Sequence, residues 1–187
     1  AYDDAINSSS HMYIKGGDIT VVSSGNDGLD SNGNMYISGG VIKAFGTKAP
    51  ECGIDANEEE NYTVIFTGGT LLAVGGGNSV PSTSESTQPY VSGSMSVSAN
   101  TEITLKSGST TLATFTVPSN YSSSSGGQGG GFGPGGQGGF RPGGSGGGSS
   151  VLISCAGLTS GSSYTMTSGS SSSTVTATLK GSSGGRW

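Results

Sequence analysis

The stretch Asn26-Asp-Gly-Leu-Asp30-Ser-Asn-Gly-Asn-Met35-Tyr-Ile-Ser-Gly-Gly40-Val-Ile-Lys-Ala-Phe45 reads as one complete structural unit, and the chain repeats it. Its opening motif has counterparts in Asp3-Asp4-Ala5-Ile6-Asn7 and Glu51-Cys52-Gly53-Ile54-Asp55, which begin 23 residues before it and 25 after it. Its Gly39-Gly40 pair is matched by Gly16-Gly17 and Gly68-Gly69. Recurrence at this spacing signals a solenoid, in which each repeat is one coil and neighbouring coils share a core.

Alignment on the glycine pairs gives apolar columns: Met12, Met35 and Val64; Ile14, Ile37 and Phe66; Ile19, Ile42 and Leu71; Val21, Ala44 and Ala73. They alternate with other positions at period two, as strands with one buried face require. Three short strands per coil are expected: the motif, the run before the glycines and the run after them. No segment shows a helical period. The pattern describes an all-β chain that opens with a short parallel β-helix of about three coils over residues 1–80. Such a column exposes unpaired strands unless it is capped or continued.

Composition agrees. Hydrophobic residues make up 30% of the 187 and charged residues 10%, with 37 glycines, which suits turns and strands better than helices. The net charge is -5, and ten of the twelve acids lie within residues 1–80 against only Lys15, Lys43 and Lys48. An acidic solenoid argues against nucleic acid and anionic lipid as partners, and for metal cations. No membrane span or signal peptide is legible. A polar, Ser/Thr/Gly-rich chain starting at Ala1 fits a secreted protein after trimming. Cys52 and Cys155 are too few for a disulfide scaffold; they are expected as separate core residues, with a bridge between the two halves as the alternative.

Residues 81–90 read as a linker, and the pattern then changes to antiparallel hairpins. Met95-Ser-Val, Glu102-Ile-Thr-Leu and Leu112-Ala-Thr-Phe-Thr-Val alternate, with Ser107-Gly108-Ser109 as a turn. The alternation resumes at Val151-Leu-Ile-Ser, Tyr164-Thr-Met-Thr and Thr174-Val-Thr-Ala-Thr-Leu. Residues 91–187 are therefore expected to form a small antiparallel sheet or sandwich that packs beside or caps the helix. It carries a Gly-rich insert over 122–150, read as a flexible loop or as an extended ribbon on another subunit.

Strand geometry turns Ile6, Leu29 and Ile54 inward, so Asn7, Asp30 and Asp55 form an outward row. Asp3, Asn26 and Glu51 form a second row on the same face, while Asp4 and Asp27 join only where the chain turns. Stacked carboxylates about 4.8 Å apart repel unless neutralised, and a calcium ion takes six to eight such oxygens. Alternatively, the side chains satisfy backbone donors at turns. Cys52 replaces aspartate in the third coil, and any ion site should fade there, because a thiol is a poor calcium ligand. Tyr13 above Tyr36, with Ile65 completing the column, is a candidate exposed aromatic stack for sugar rings, or alternatively a stack that simply stabilises the sheet face, and outward Lys43 is grouped with it. The apolar column Val22, Phe45 and Val74 needs cover, from the C-terminal sheet or from another subunit. With Phe132 and Phe140 of the insert it forms a candidate self-association set. The one histidine, His11, cannot build a catalytic triad or a metal-histidine cluster, and Arg141 and Arg186 both lie off the solenoid. No enzyme is expected.

The Asp-Asp-Ala-Ile-Asn and Asn-Asp-Gly-Leu-Asp coils, the Ile-Ser-Gly-Gly run and the terminal Val-Leu-Ile-Ser-Cys…Tyr-Thr-Met unit resemble a known family. It is the bacterial "carbohydrate-binding domain-containing" β-helix family of secreted and surface proteins, related in fold to pectate lyases. The resemblance covers roughly 1–120 and 149–180. It implies a right-handed parallel β-helix, calcium binding, and attachment to plant-type polysaccharides such as cellulose or pectin outside the cell. Pectate lyases of that fold use a basic residue, usually arginine, beside calcium, and no arginine lies on this solenoid. Two further readings stand beside the binding module: a subunit of an extracellular filament built by coil stacking and Gly-rich packing, and a degenerate lyase.

Overall fold

A computed structural model describes residues 1–122 and 148–181. Apart from one 3-10 turn at Glu58–Glu60, every regular element in it is a β-strand. Each of the three units supplies one short and one long strand. The short strands β1 (Ile6–Ser8), β3 (Leu29–Ser31) and β5 (Ile54–Ala56) pair in parallel as one sheet. The long strands β2 (Met12–Val22), β4 (Met35–Phe45) and β6 (Val64–Gly75) pair in parallel in a second. Every apolar column expected from the alignment is an observed register. The runs on either side of each glycine pair, expected as separate strands, continue as one strand whose register slips at the glycines. There Gly17, Gly40 and Gly69 have φ of +98°, +91° and +85°, and a Cβ on Gly40 would come within 2.8 Å of the Gly16 carbonyl carbon. Backbone packs on backbone at this column, and only glycine allows it.

Leu29 and Ile54 from the short strands, with Met35, Ile37, Ile42, Val64, Phe66 and Leu71 from the long ones, form one buried cluster. Met12 and Ile14 of the first unit belong to it but keep 8% exposure each.

The second sheet does not stop at β6. β10 (Ser149–Ser154) pairs antiparallel with β6 on one side and with β7 (Tyr90–Met95) on the other, giving the order β2-β4-β6-β10-β7. β8 (Glu102–Ser107), β9 (Thr110–Thr116), β11 (Ser163–Ser168) and β12 (Ser171–Thr176) form a four-stranded antiparallel sheet in the order β12-β11-β8-β9. The antiparallel strands expected beyond residue 90 are thus present, but two of them extend the sheet of the repeats. The stretch read as a linker is fastened to β6: Ser86 Oγ accepts the Phe66 N–H at 3.0 Å, and the Thr87 and Gln88 N–H groups donate to Phe66 O at 3.0 Å.

Phe45 and Val74 require a correction. Of the two covers expected for their column, the C-terminal sheet is the one observed and self-association through these two side chains is not: both are fully buried in a core with Leu72, Val91, Ile103, Leu105, Val151, Ile153 and Met166, and Val22 packs against that core. The chain's own C-terminal strands cover this column, because β10 carries apolar side chains directly alongside β6. Phe132, Phe140, Arg141 and Arg186 lie outside the described residues. At the flanks of the insert, Tyr121 Oη and Ser149 Oγ are 3.2 Å apart. Cys52 and Cys155 are buried and unbridged. Among the described residues no helix is long and apolar enough to cross a membrane.

Candidate functional site

Two ladders of side-chain acceptors run through the repeats. In the first, Asp4 Oδ1 accepts the Asp27 N–H at 3.2 Å, and Asp27 Oδ1 accepts the Cys52 N–H. Above the third unit Asn78 Oδ1 accepts from Gly53 and Ile54 at 3.0 and 3.2 Å. In the second, His11 Nδ1 accepts the Asn34 N–H at 2.9 Å, Asn34 Oδ1 accepts the Thr63 N–H at 2.9 Å, and Thr63 Oγ1 accepts the Ser82 N–H at 2.9 Å. Each side chain takes a backbone donor at a corner, where an unpaired N–H carries a cost once buried; Gly53 N–H has Gly77 O at 3.4 Å as a second acceptor. The turn-donor role foreseen for these acids is therefore observed at Asp4 and Asp27.

The row Asn7, Asp30 and Asp55 is in register as expected. Carboxylate oxygens of Asp27, Asp30 and Asp55 all lie within 4.8 Å of one another. Asp27 is nearly buried, at 8% exposure, although simple alternation places it off this face. The turn ahead of β3 brings it in. Asn7 Nδ2 donates to Asp30 Oδ2 and, at 3.3 Å, to Asp4 Oδ2, while Ser79 Oγ donates to Asp55 Oδ1 at 2.9 Å. Burial, with the nearby charges of Asp55, Glu51 and Asp4, raises Asp27 to about 7. Burial followed by the charges of Asp4 and Asp55 raises Asp30 to about 6. Such a group is short of positive charge, which protons or a cation can provide.

In the third unit Cys52 stands where Asp4 and Asp27 stand in the first two. Asp55 of the third unit completes the triad, and Cys52 contributes its N–H rather than its thiol. Asp3 and Asn26 bond to each other at 3.0 Å and stand apart from the triad. The donor set fits a hard cation: three carboxylates offer oxygens spaced as ligands around an ion 2.3–2.6 Å from each.

On another face, the Tyr13 and Tyr36 rings stack with centroids 4.8 Å apart and planes 3° apart. His11 meets Tyr13, Tyr36 and Tyr62 edge-on at 6.4, 6.2 and 5.7 Å. Tyr13 is 59% exposed, and Tyr36 and Tyr62 are half-buried. Asn34 Nδ2 donates to Tyr36 Oη at 3.0 Å, and Lys15 Nζ stands 6.0 Å from the Tyr13 centroid. Because the two stacked rings occupy one face each, the cluster presents ring edges and hydroxyls more than flat faces. Ile65, expected beside the tyrosines, is in register with Tyr36 but buried at 3% exposure, next to the Phe66 that residues 86–88 hold. Lys43 lies beyond the Gly39-Gly40 slip and pairs with Asp18 at 3.2 Å, apart from the tyrosines. Tyr62 escaped the column alignment because it precedes β6 in a stretch with no counterpart in the other units. Its only signal was an aromatic residue two positions before Val64.

Family models, curated proteins and solved structures were all compared with the chain, and none matches.

Proposed function

We propose that this chain is a non-catalytic carbohydrate-binding module of a secreted or cell-surface protein, built on a short right-handed parallel β-helix and stabilised by calcium. The observation that carries this reading is the aromatic cluster of Tyr13, Tyr36, Tyr62 and His11, in which Tyr13 is exposed and the Tyr13–Tyr36 pair is set by the strand register. Aromatic side chains with hydroxyl handles suit sugars, whose rings have apolar faces and polar rims. A plant-type polysaccharide such as cellulose or pectin is the ligand class. Two parallel sheets that gain one strand from every unit support the helix reading, since parallel pairing of successive units requires a crossover in each. Asp27, Asp30 and Asp55 are the calcium ligands of this proposal, with Asp4 and Asn7 bordering them.

The filament alternative loses support from β10, which occupies the edge of β6 where a further molecule would stack. The lyase alternative loses support because Lys43, the outward lysine weighed for it, is paired with Asp18 at 3.2 Å.

A pull-down on insoluble cellulose and polygalacturonate, with and without a calcium chelator, tests the proposal. Binding should weaken by roughly tenfold in Tyr13→Ala/Tyr36→Ala, on the scale of aromatic contacts. It should also fall with chelator. Absence of binding to both polymers, or binding indifferent to both changes, overturns it.

A further inference from the structure

The two side-chain ladders continue upward from the first unit but, among the described residues, receive nothing from below. The Asp27, Cys52, Asn34 and Thr63 N–H groups are each taken by a side chain of the preceding unit. The equivalent groups of the first unit, the N–H of Asp4 and of His11, have no acceptor among the described residues. Burial breaks off at the same place. Ile6 is 42% exposed, whereas Leu29 and Ile54, in register with it, are fully buried. β1 and β2 are the outer strands of their sheets. The far end is closed: β10 covers β6, Ser79 N–H donates to Ile54 O at 3.0 Å, and Asn78 caps Gly53 and Ile54.

We infer that the end formed by β1 and β2 is a docking face for one more unit of the same repeat. The occupant is a polypeptide segment that lays a short strand beside β1 and a long strand beside β2, both in parallel. It presents an Asp, Asn or His side chain to each of the Asp4 and His11 N–H groups. Continuity with the interfaces between the existing units specifies this chemistry, because the first unit offers the next segment what the second unit offers the first. A second copy of the chain fits poorly. Its matching end is already taken by β10 and residues 77–79, and two open ends face to face bring donors without acceptors to both ladder columns. The inference does not depend on any glycan.

The test fuses an additional copy of residues 1–23 directly ahead of Ala1 in the full chain and follows amide exchange by NMR. Exchange at Asp4, His11 and along Met12–Val22 should slow by at least tenfold. A fused unit with its own Asp4 and His11 positions changed to alanine should protect Asp4 and His11 less. The same 23 residues in scrambled order should leave exchange unchanged. Equal exchange with and without the native-order unit overturns the inference. So does protection in the unfused chain that rises with protein concentration, which would make a second copy the occupant.

Discussion

Across residues 1–80 backbone donors at the corners between successive repeats are taken by side chains of Asp, His, Asn and Ser, and ten of the chain's twelve acids are concentrated there. In the antiparallel strands after residue 90, neighbouring strands bond directly in hairpins and cohesion comes from an apolar core. The first region depends on polar atoms aimed with hydrogen-bond accuracy and carries a charge problem. The second depends on volume and is nearly free of charge. Both meet at Phe45, Leu72 and Val74, which the repeats supply and the C-terminal strands cover. A polar ladder specifies register, while an apolar core supplies most of the driving force.

That contrast can be broken most strongly from the apolar side. Leu105→Ala removes a fully buried side chain and should cost about 2–5 kcal/mol. Since its core includes Phe45 and Val74, urea melts followed by Tyr fluorescence and by far-UV circular dichroism should still coincide in one transition. Two separated transitions would show that the regions are energetically independent.

On the polar side, Asn78→Ala removes the Ile54 N–H acceptor in a buried corner and leaves the Gly53 N–H only its longer 3.4 Å bond to Gly77 O, and it should cost about 1–3 kcal/mol. Asn78→Asp keeps the acceptor and should lose less. An equal loss from both in chemical denaturation would assign the role of Asn78 to its donor bonds with Ser150 instead.

The acid triad gives a smaller effect with a definite sign. An unfolded aspartate titrates near 3.8, whereas Asp27 and Asp30 titrate near 7 and 6 in the folded chain. Between these values the folded state holds protons that the unfolded state has released. The stability these groups contribute is therefore complete below about pH 4 and is lost as pH rises through 6 to 7. Calorimetry should give a lower Tm at pH 8 than at pH 5, and Asp27→Asn should recover about 2–4 °C of it. Calcium should raise Tm at pH 8 in the unaltered chain and much less in Asp27→Asn. A pH-independent Tm would mean that the triad is solvated and carries no penalty.

Shortening the insert should have the least effect. Tyr121 and Ser149 already bring its flanks together. Replacing 123–147 by a short Gly-Ser connection changes loop closure by only about 0.6 kcal/mol per halving of length. A large loss of Tm would show that the insert packs on the strands.

The repeats were legible in detail because column alignment carries register directly. Met12, Met35 and Val64, or Ile19, Ile42 and Leu71, can be paired with no knowledge of the turns. Antiparallel hairpins after residue 90 were equally readable from alternation, but the partner of β10 was not. Nothing local in Val151-Leu-Ile-Ser distinguishes a strand that pairs with β6 from one confined to its own sheet. Asp27 was misplaced for a related reason: period-two alternation assigns faces within a strand and fails at the turn before β3. The aromatic cluster was half visible. Tyr13 and Tyr36 sit in columns, whereas Tyr62 arrives from an irregular segment whose path depends on tertiary packing.

The position of β10 between β6 and β7 also bears on how the chain comes to fold. As the polypeptide emerges in order, β6 and β7 are complete long before residue 149, yet β6, already paired with β4, lacks its second neighbour and β7 lacks the strand beside it until β10 arrives. During that interval both strands present open edges, which are templates for wrong pairing. Closing a sheet through so distant a segment is intrinsically slow. Refolding should therefore be limited by one late insertion event, and a holding factor that shields the edge of β6 would speed recovery more than any change within the repeats.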